Sequence, residues 1–192
     1  MFTILAIRHG ETDENKLRIL QGQSRGTLAE SGQYQALKLG IHLKEESFDT
    51  VFVSDLQRTK DTWQWMGLSN SVIYEERLRE RAFGKYEGES RDKIMHAGFD
   101  ETEIEPKGVF FRRVTAFVDD RISYYMSDIH EESRRELWLT HGGTLRIILQ
   151  YLCNRFQLDL PKTRFDNTGI TQYYIQDGKL TIEKLNDTQH LS

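Results

Sequence analysis

The chain alternates short aliphatic runs with segments of helical periodicity, and this alternation constrains the fold more than any other feature. Six runs qualify as strands: Thr3–Ile7, Thr50–Val53, Ser71–Tyr74, Glu136–Thr140, Ile170–Ile175 and Leu180–Leu185. Strands that alternate with helices usually pair in parallel, and the helices cover both faces of the sheet. We therefore predict an α/β fold in three layers, with a mostly parallel sheet.

Apolar residues recur every three or four positions in three of the intervening segments, which predicts three amphipathic helices. The stripes are Phe111, Val114, Val118, Ile122 and Tyr125; Leu145, Ile148, Leu149 and Leu152; and Tyr34, Leu37 and Ile41. We expect each stripe to face the sheet. Asp177-Gly178, between the last two runs, is a two-residue hairpin signal, so the sheet should also contain one antiparallel strand.

Length and composition restrict the class of protein. The 192 residues suit one domain, and no repeat or linker divides residues 1–192. The net charge of −4 does not favour nucleic acid or anionic membranes, and no apolar run approaches the roughly 18–20 residues of a membrane span. The single cysteine, Cys153, excludes a disulfide framework and a cysteine-based zinc cluster. Because the first apolar run lacks the flanks of a signal peptide, we expect a cytoplasmic protein.

Polar residues follow three of the predicted strands at their carboxyl ends, where open α/β sheets bind ligands. His9 and His141 each follow a strand and precede a glycine, and Arg58 comes shortly after a third strand. The helix predicted after Gly143 would direct its positive end to the same place. A single histidine or arginine of this kind is usually structural. Together with Arg8, however, the group indicates a site for a phosphate or another oxyanion.

Five motifs resemble those of the histidine phosphatase superfamily, in its phosphoglycerate-mutase-like branch. In chain order they are Arg8-His9-Gly10-Glu11-Thr12 followed by Asn15, Gln21-Gly22, Ser54-Asp55-Leu56-Gln57-Arg58-Thr59, Leu78-Arg79-Glu80, and Thr140-His141-Gly142-Gly143. The resemblance extends from Ile4 to about Asp187. It implies the family's α/β fold and a phosphatase that uses no metal or other cofactor.

The resemblance also implies roles for individual residues. His9 would be the nucleophile that is transiently phosphorylated, and Glu80 the proton donor. Arg8, Arg58 and His141 would hold the phosphoryl oxygens. Further positions that match the lining of the family's phosphate pocket are Asn15, Gln21, Gly22, the backbone N–H of Gly142 and, near the pocket floor, Asn167-Thr168-Gly169.

Physical chemistry supports these roles independently. The transition state of phosphoryl transfer spreads charge over the equatorial oxygens, which positioned guanidiniums stabilise. A neutral imidazole is a competent nucleophile near pH 7, and an alkoxide leaving group needs a proton. Glu80 can supply that proton, but Glu75, Glu76 and Glu87 lie nearby in sequence, and only the resemblance chooses among the four carboxyl groups.

The chain departs from the family pattern at two places. Ala29 stands where a small hydroxyl residue usually caps a helix, so Ser31 becomes the candidate cap. The Pro-Gly-Gly-Glu-Ser element of many phosphatase members reads Pro106-Lys107-Gly108-Val109-Phe110 here, without the acid and the hydroxyl. Arg112 and Arg113, which follow, are candidates for binding a second anionic group of the substrate, the alternative being a solvated helix face.

Several other residues are interpreted as structural. We expect Trp63, Met66 and Cys153 to lie in the core. We expect His42, His96 and His190 to lie on the surface, and His130-Glu131-Glu132 to form a charged turn.

We therefore expect a metal-independent phosphatase that hydrolyses a small phosphorylated metabolite, such as a sugar, glycerate, nucleoside or ribazole phosphate, through a phosphohistidine. A phosphoglycerate mutase is the alternative. Mutases of the family usually carry a longer insertion between proton donor and second histidine than the interval from Glu80 to His141 allows. A non-catalytic phosphate-binding protein is disfavoured, because every catalytic residue type is present. The natural substrate stays open, as does the choice between monomer and homodimer.

Overall fold

The computed structural model describes residues 1–127 and 133–192. The predicted turn at His130 lies outside the described residues. The strands are β1 (Phe2–Arg8), β2 (Thr50–Val53), β3 (Val72–Tyr74), β4 (Arg134–Thr140), β5 (Ile170–Gln176) and β6 (Lys179–Asp187). The α-helices are α1 (Asp13–Lys16), α2 (Glu30–His42), α3 (Gln57–Met66), α4 (Arg91–Ala97), α5 (Lys107–Ser127) and α6 (Gly142–Arg155). All six predicted strands are confirmed, with bounds that differ by two residues at most.

The strands form one sheet in the order β3-β2-β4-β1-β5-β6. The pairs β2–β3, β2–β4 and β1–β4 are parallel, whereas β5 is antiparallel to both β1 and β6. The predicted α/β class with one antiparallel strand is therefore confirmed. Asp177 and Gly178 have φ angles of 51° and 71°, the positive values that a tight hairpin turn between β5 and β6 requires.

Helices cover both faces of the sheet, as predicted for three layers. Successive strand residues point to opposite faces, so Ile4 packs with α5 and α6 while Leu5 packs with α2 and α3. Trp63 and Met66 of α3 and Cys153 of α6 are buried, which confirms their core assignment. No helix in the described part of the chain is long and apolar enough to cross a membrane.

Helix α2 exists as predicted, but the expectation about its buried face was wrong. The stripe of Tyr34, Leu37 and Ile41 is exposed, with 56%, 45% and 64% of each residue accessible. The buried face contains two glycines instead. A Cβ on Gly32 would lie 2.0 Å from the Glu11 carbonyl oxygen, and one on Gly40 would lie 1.8 Å from that of Met66. Close backbone approach at these glycines therefore decides which side of α2 faces the protein.

Two smaller expectations were also wrong. Ser31 does not cap α2: the N-cap is Ala29 without a side-chain bond, and Ser31 Oγ donates to Glu11 Oε2 at 2.6 Å. His190 is buried, and its ring lies 5.8 Å from that of His42. Burial, together with the neighbouring His42, lowers the pKa of His190 to about 4. His42 and His96 are exposed, as predicted.

Candidate active site

Three adjacent strands deliver the candidate residues to one edge of the sheet. In the order β2-β4-β1, their carboxyl ends are followed by Ser54, by His141 and by His9, while Arg8 ends β1 itself. Arg58 comes from the first turn of α3, directly after β2. The parallel pairing of β1 and β4 places His9 and His141 side by side, with ring centroids 5.2 Å apart.

Arg58 joins the two imidazoles. Its Nε lies 3.3 Å from His9 Nε2 and 3.2 Å from His141 Nδ1, so one N–H is shared between both rings. Its two terminal nitrogens donate to the carbonyl oxygens of Gly22, at 2.7 Å, and Ser24, at 3.0 Å. The guanidinium is almost fully buried. Its orientation is fixed by the histidines on the Nε side and by the two carbonyl oxygens on the side of the terminal nitrogens.

The hydrogen bonds define the tautomer of each histidine. His9 Nδ1 lies 2.7 Å from the Gly10 carbonyl oxygen, an acceptor, so Nδ1 carries the proton and Nε2 keeps its lone pair. His141 Nε2 lies 2.8 Å from Ser54 Oγ, and its Nδ1 accepts from Arg58. Both unprotonated nitrogens therefore face the same guanidinium, and His9 Nε2 has the electron pair that a nucleophile needs.

Burial holds both imidazoles neutral. It lowers the pKa of His9 well below the usual value, and the cationic Arg58 and Arg8 lower it further. The pKa of His141 is lowered by burial and by Arg58 in the same way. Burial also lowers the pKa of Arg58, to about 10, which still leaves this side chain charged at pH 7.

Arg8 has an unpaired donor in the site. Its Nη1 donates to the Phe165 carbonyl oxygen at 2.8 Å, but Nε is buried and has no partner among the described residues. A Cβ on Gly142 would lie 3.5 Å from this nitrogen, so the glycine leaves space beside it. Because an unpaired buried N–H is unfavourable, a bound oxyanion would supply what Arg8 lacks. The residues present therefore fit a phosphate.

Glu80 lies on the same side of the cluster. Its Oε2 accepts from the Gly143 N–H at 2.8 Å, at the positive end of α6, and its Oε1 accepts from the Arg81 N–H at 2.9 Å. Burial lowers the pKa values of both Arg8 and Arg58, and the charge of Glu80 offsets part of that lowering.

The other three carboxyl groups are engaged elsewhere. Glu75 pairs with Arg77 at 2.8 Å, and Glu76 is exposed. Glu87 lies behind the Gly22 turn, where its Oε1 accepts from the backbone N–H groups of Gln23 and Phe83, each at 2.9 Å. Of the four candidates, Glu80 alone bonds to the amino end of α6.

The remaining predicted positions surround the cluster. Asn15 closes a capping box with Thr12, and its Oδ1 accepts from Asn167 Nδ2 at 3.3 Å. That same Asn167 nitrogen donates to the His9 carbonyl oxygen at 2.9 Å, so the pair fixes the backbone of His9. Gln21 is buried, with its Oε1 unpaired among the described residues. Gly22 has a φ of 55°, the left-handed conformation that favours glycine, and it presents its carbonyl to Arg58.

Sequence reasoning assigned no role to Ser54, although its hydroxyl orients His141. The available signal was a hydroxyl residue directly after β2, four positions before Arg58. Spacing alone did not show that it would reach a histidine on the neighbouring strand.

Known proteins resemble this chain in sequence and in fold. Residues 4–188 match the family model of the histidine phosphatase superfamily (branch 1). The chain is 32% identical over 206 residues to the broad-specificity phosphatase YOR283W of Saccharomyces cerevisiae, covering 98% of this chain and 86% of that protein. It is 30% identical over 205 residues to the metal-independent phosphoserine phosphatase of Arabidopsis thaliana, covering 98% and 83%. The solved structure of Bacillus stearothermophilus YhfR shares the fold, with a TM-score of 0.84, 23% identity and full coverage of both chains.

Proposed function

Because the chain belongs to the histidine phosphatase superfamily (branch 1), we propose that it hydrolyses small phosphate monoesters through a phosphorylated His9, without a metal ion. That it is a phosphoric monoester hydrolase follows from the family and from relatives named as phosphatases. One observation supports the mechanism most directly. The unprotonated Nε2 of His9 lies 3.3 Å from Nε of Arg58, and Arg8, whose charge also acts on His9, has a donor without a partner among the described residues.

In the first step, the phosphoryl group of the substrate binds to Arg8 and Arg58, and His9 Nε2 attacks phosphorus. An N–P bond forms while the bond from phosphorus to the ester oxygen breaks. Glu80 takes part in this step as the carboxylic acid, with one proton to give. Glu80 then transfers that proton to the leaving oxygen, so an alcohol departs instead of an alkoxide.

In the second step, water attacks the phosphohistidine. The Glu80 carboxylate accepts a proton from that water, the N–P bond breaks, and inorganic phosphate leaves. His9 recovers its lone pair and Glu80 its proton, which closes the cycle. His141 and the two arginines stabilise the phosphoryl oxygens in both steps, because their positions are set by the fold before substrate arrives.

We propose a small metabolite as the substrate, in the range of sugar, glycerate, nucleoside and ribazole phosphates. The relatives support a small phosphate monoester as the substrate, since their names include a broad-specificity and a phosphoserine phosphatase. The net charge of −4 supports a free small molecule over nucleic acid or a membrane surface. The free thiol of Cys153 suits the reducing cytoplasm. A monomer or a homodimer is compatible with this proposal.

We expect the protein to release inorganic phosphate from 3-phosphoglycerate or a comparable ester, with no requirement for 2,3-bisphosphoglycerate. A mutase must retain its phosphoryl group until the same molecule takes it back, whereas a hydrolase admits water. The measurement is a phosphate-release assay beside a coupled assay for 2-phosphoglycerate. Rapid exchange between 3- and 2-phosphoglycerate without phosphate release would identify a mutase.

Excess EDTA is expected to leave the turnover rate unchanged. Arg8 and Arg58 supply the positive charge that a metal ion supplies in other phosphatases. Initial rates are compared before and after dialysis against the chelator, with a magnesium-dependent phosphatase as the positive control. If activity disappears and zinc or magnesium restores it, His9 and His141 are to be reassigned as ligands.

A further inference from the structure

Arg113 uses all five of its N–H donors inside the protein. Its Nε and one Nη2 hydrogen donate to the two carboxylate oxygens of Glu105, at 3.0 and 2.9 Å. Its Nη1 donates to the carbonyl oxygens of Arg77 and Arg79, each at 3.0 Å, and the second Nη2 hydrogen to that of Glu80, at 3.2 Å. Arg113 therefore has no donor left for an anionic group of the substrate, and it is not a solvated residue of the helix face either, so neither of the two alternatives given for it holds.

The three carbonyls belong to the loop that carries Glu80. Between β3 and α4 this loop has only two short 3-10 turns, at Glu76–Leu78 and Gly84–Tyr86, so other elements must hold it. Thr140 and Thr144 donate to the carbonyl oxygens of Leu78 and Arg79, and Gln23 donates to that of Glu80. Arg113 binds more of these carbonyls than any of the three.

Glu105 in turn fixes Arg113. Its Oε2 also accepts from the Ala82 N–H at 3.1 Å, and its own N–H donates to the Ala82 carbonyl oxygen at 2.9 Å. The ring of Phe110 lies 5.1 Å from the Arg113 guanidinium. Glu105 directly precedes the segment 106–110 that departs from the family pattern, and Phe110 is its last residue. In this chain the segment therefore holds Arg113 through an ion pair and an aromatic ring, and Glu105 also bonds to Ala82 of the Glu80 loop.

We propose that Arg113, held by Glu105, is a positioning residue that places the Glu80 carboxyl group at the leaving oxygen of the substrate. The inference rests on the proposed role of Glu80 as proton donor. Without Arg113 three carbonyls lose a partner, and the loop can shift. A shift of about 1 Å in a catalytic group lowers a rate by as much as roughly 10²-fold.

The test compares Arg113→Met with Arg112→Met, its matched control. Both remove one guanidinium from the same turn of α5, but Arg112 is exposed and folds back toward Gly108. Single-turnover phosphorylation of His9 is measured with an alkyl phosphate and with p-nitrophenyl phosphate, whose leaving group needs no proton. Arg113→Met should slow the alkyl phosphate about 10- to 100-fold and the aryl phosphate by less than about 3-fold. Arg112→Met should not discriminate between the two substrates, whatever its effect on their common rate.

A double-mutant cycle with Glu80→Gln separates positioning from general loss of structure. In the Glu80→Gln background, Arg113→Met should slow phosphorylation by the alkyl phosphate by less than about a further 3-fold. The reason is that Arg113 acts by positioning a proton donor that this background no longer has. Equal slowing of both substrates, or a full additional effect in the cycle, would overturn the inference. If Arg113→Met does not fold by circular dichroism, the same comparisons with Glu105→Gln and Arg113→Lys decide the question.

The outcomes also distinguish this inference from the proposed function. If Glu80→Gln slows both substrates equally, Glu80 is not the proton donor, and the proposed mechanism fails first. If Glu80→Gln discriminates between the substrates and Arg113→Met does not, the mechanism stands and only the role of Arg113 is rejected.

Discussion

His9→Ala is expected to lower turnover by about 10⁴-fold or more and to abolish the phosphoenzyme, as in other enzymes that lose a covalent nucleophile. The alanine has no atom at the position of Nε2, while Arg8 and Arg58 remain to bind phosphate. Binding of inorganic phosphate should therefore survive when catalysis does not. The measurement is capture of ³²P from a labelled substrate, with the acid-labile and alkali-stable behaviour of a phosphohistidine.

His141→Ala is the comparison variant for this experiment. Its ring is the only other imidazole at Arg58 among the described residues, and its centroid lies 5.2 Å from that of His9. We expect His141→Ala to react slowly and still to accumulate label on His9, because His141 stabilises the phosphoryl group without bonding to it. Label that persists in His9→Ala and disappears in His141→Ala would exchange the two assignments.

Glu80→Gln should slow the phosphorylation of His9 by an alkyl phosphate about 10²- to 10⁴-fold, the usual contribution of general acid catalysis. An alkoxide is a poor leaving group, whereas nitrophenolate spreads its charge over the ring. The reaction with p-nitrophenyl phosphate should therefore slow far less. Glutamine keeps the size of the side chain and can still accept one of the two bonds from Gly143 and Arg81, but it has no proton to transfer.

Single-turnover measurements are needed here, because in the proposed mechanism Glu80 also acts as base toward water in the second step. Glu76→Gln is the control, since Glu76 is exposed and lies only four residues earlier. It should leave both rates unchanged. If Glu80→Gln slows both substrates to the same extent, Glu80 shapes the pocket without transferring a proton, and Glu87, behind the Gly22 turn, becomes the next variant to examine.

The strands could be predicted from the sequence because their signal is local. A run such as Thr50–Val53 indicates a strand wherever it pairs, and the structure has the same bounds. The orientation of α2 could not be predicted in this way. The exposed stripe of Tyr34, Leu37 and Ile41 is more hydrophobic than the face with Gly32 and Gly40. The glycine face is buried because it fits closely against the backbones of Glu11 and Met66, and that fit exists only in the assembled fold.

The same distinction applies to the site. The convergence of His9, His141 and Arg58 could be predicted, because carboxyl ends of neighbouring parallel strands meet at one edge of a sheet. Glu80 could be chosen from its neighbours only through the family resemblance, since a loop has no periodicity. Whether Arg113 had donors free for a ligand depended on carbonyl groups far away in sequence. His190 was misjudged for the same reason, because its burial depends on contact with α2.

The strand order also determines when the protein can become active during folding. β1 is first in the chain but pairs only with β4 and β5, which come late. Until β4 has been synthesised, the only partners available in the sheet are β2 and β3, and they pair with each other. The His9 N–H donates to the Thr140 carbonyl oxygen, and the Arg8 carbonyl oxygen accepts from the Thr168 N–H, so both contacts close very long loops. Such non-local contacts form slowly and late, and we therefore expect His9 of a nascent chain to lack its native backbone contacts until synthesis has passed Thr168.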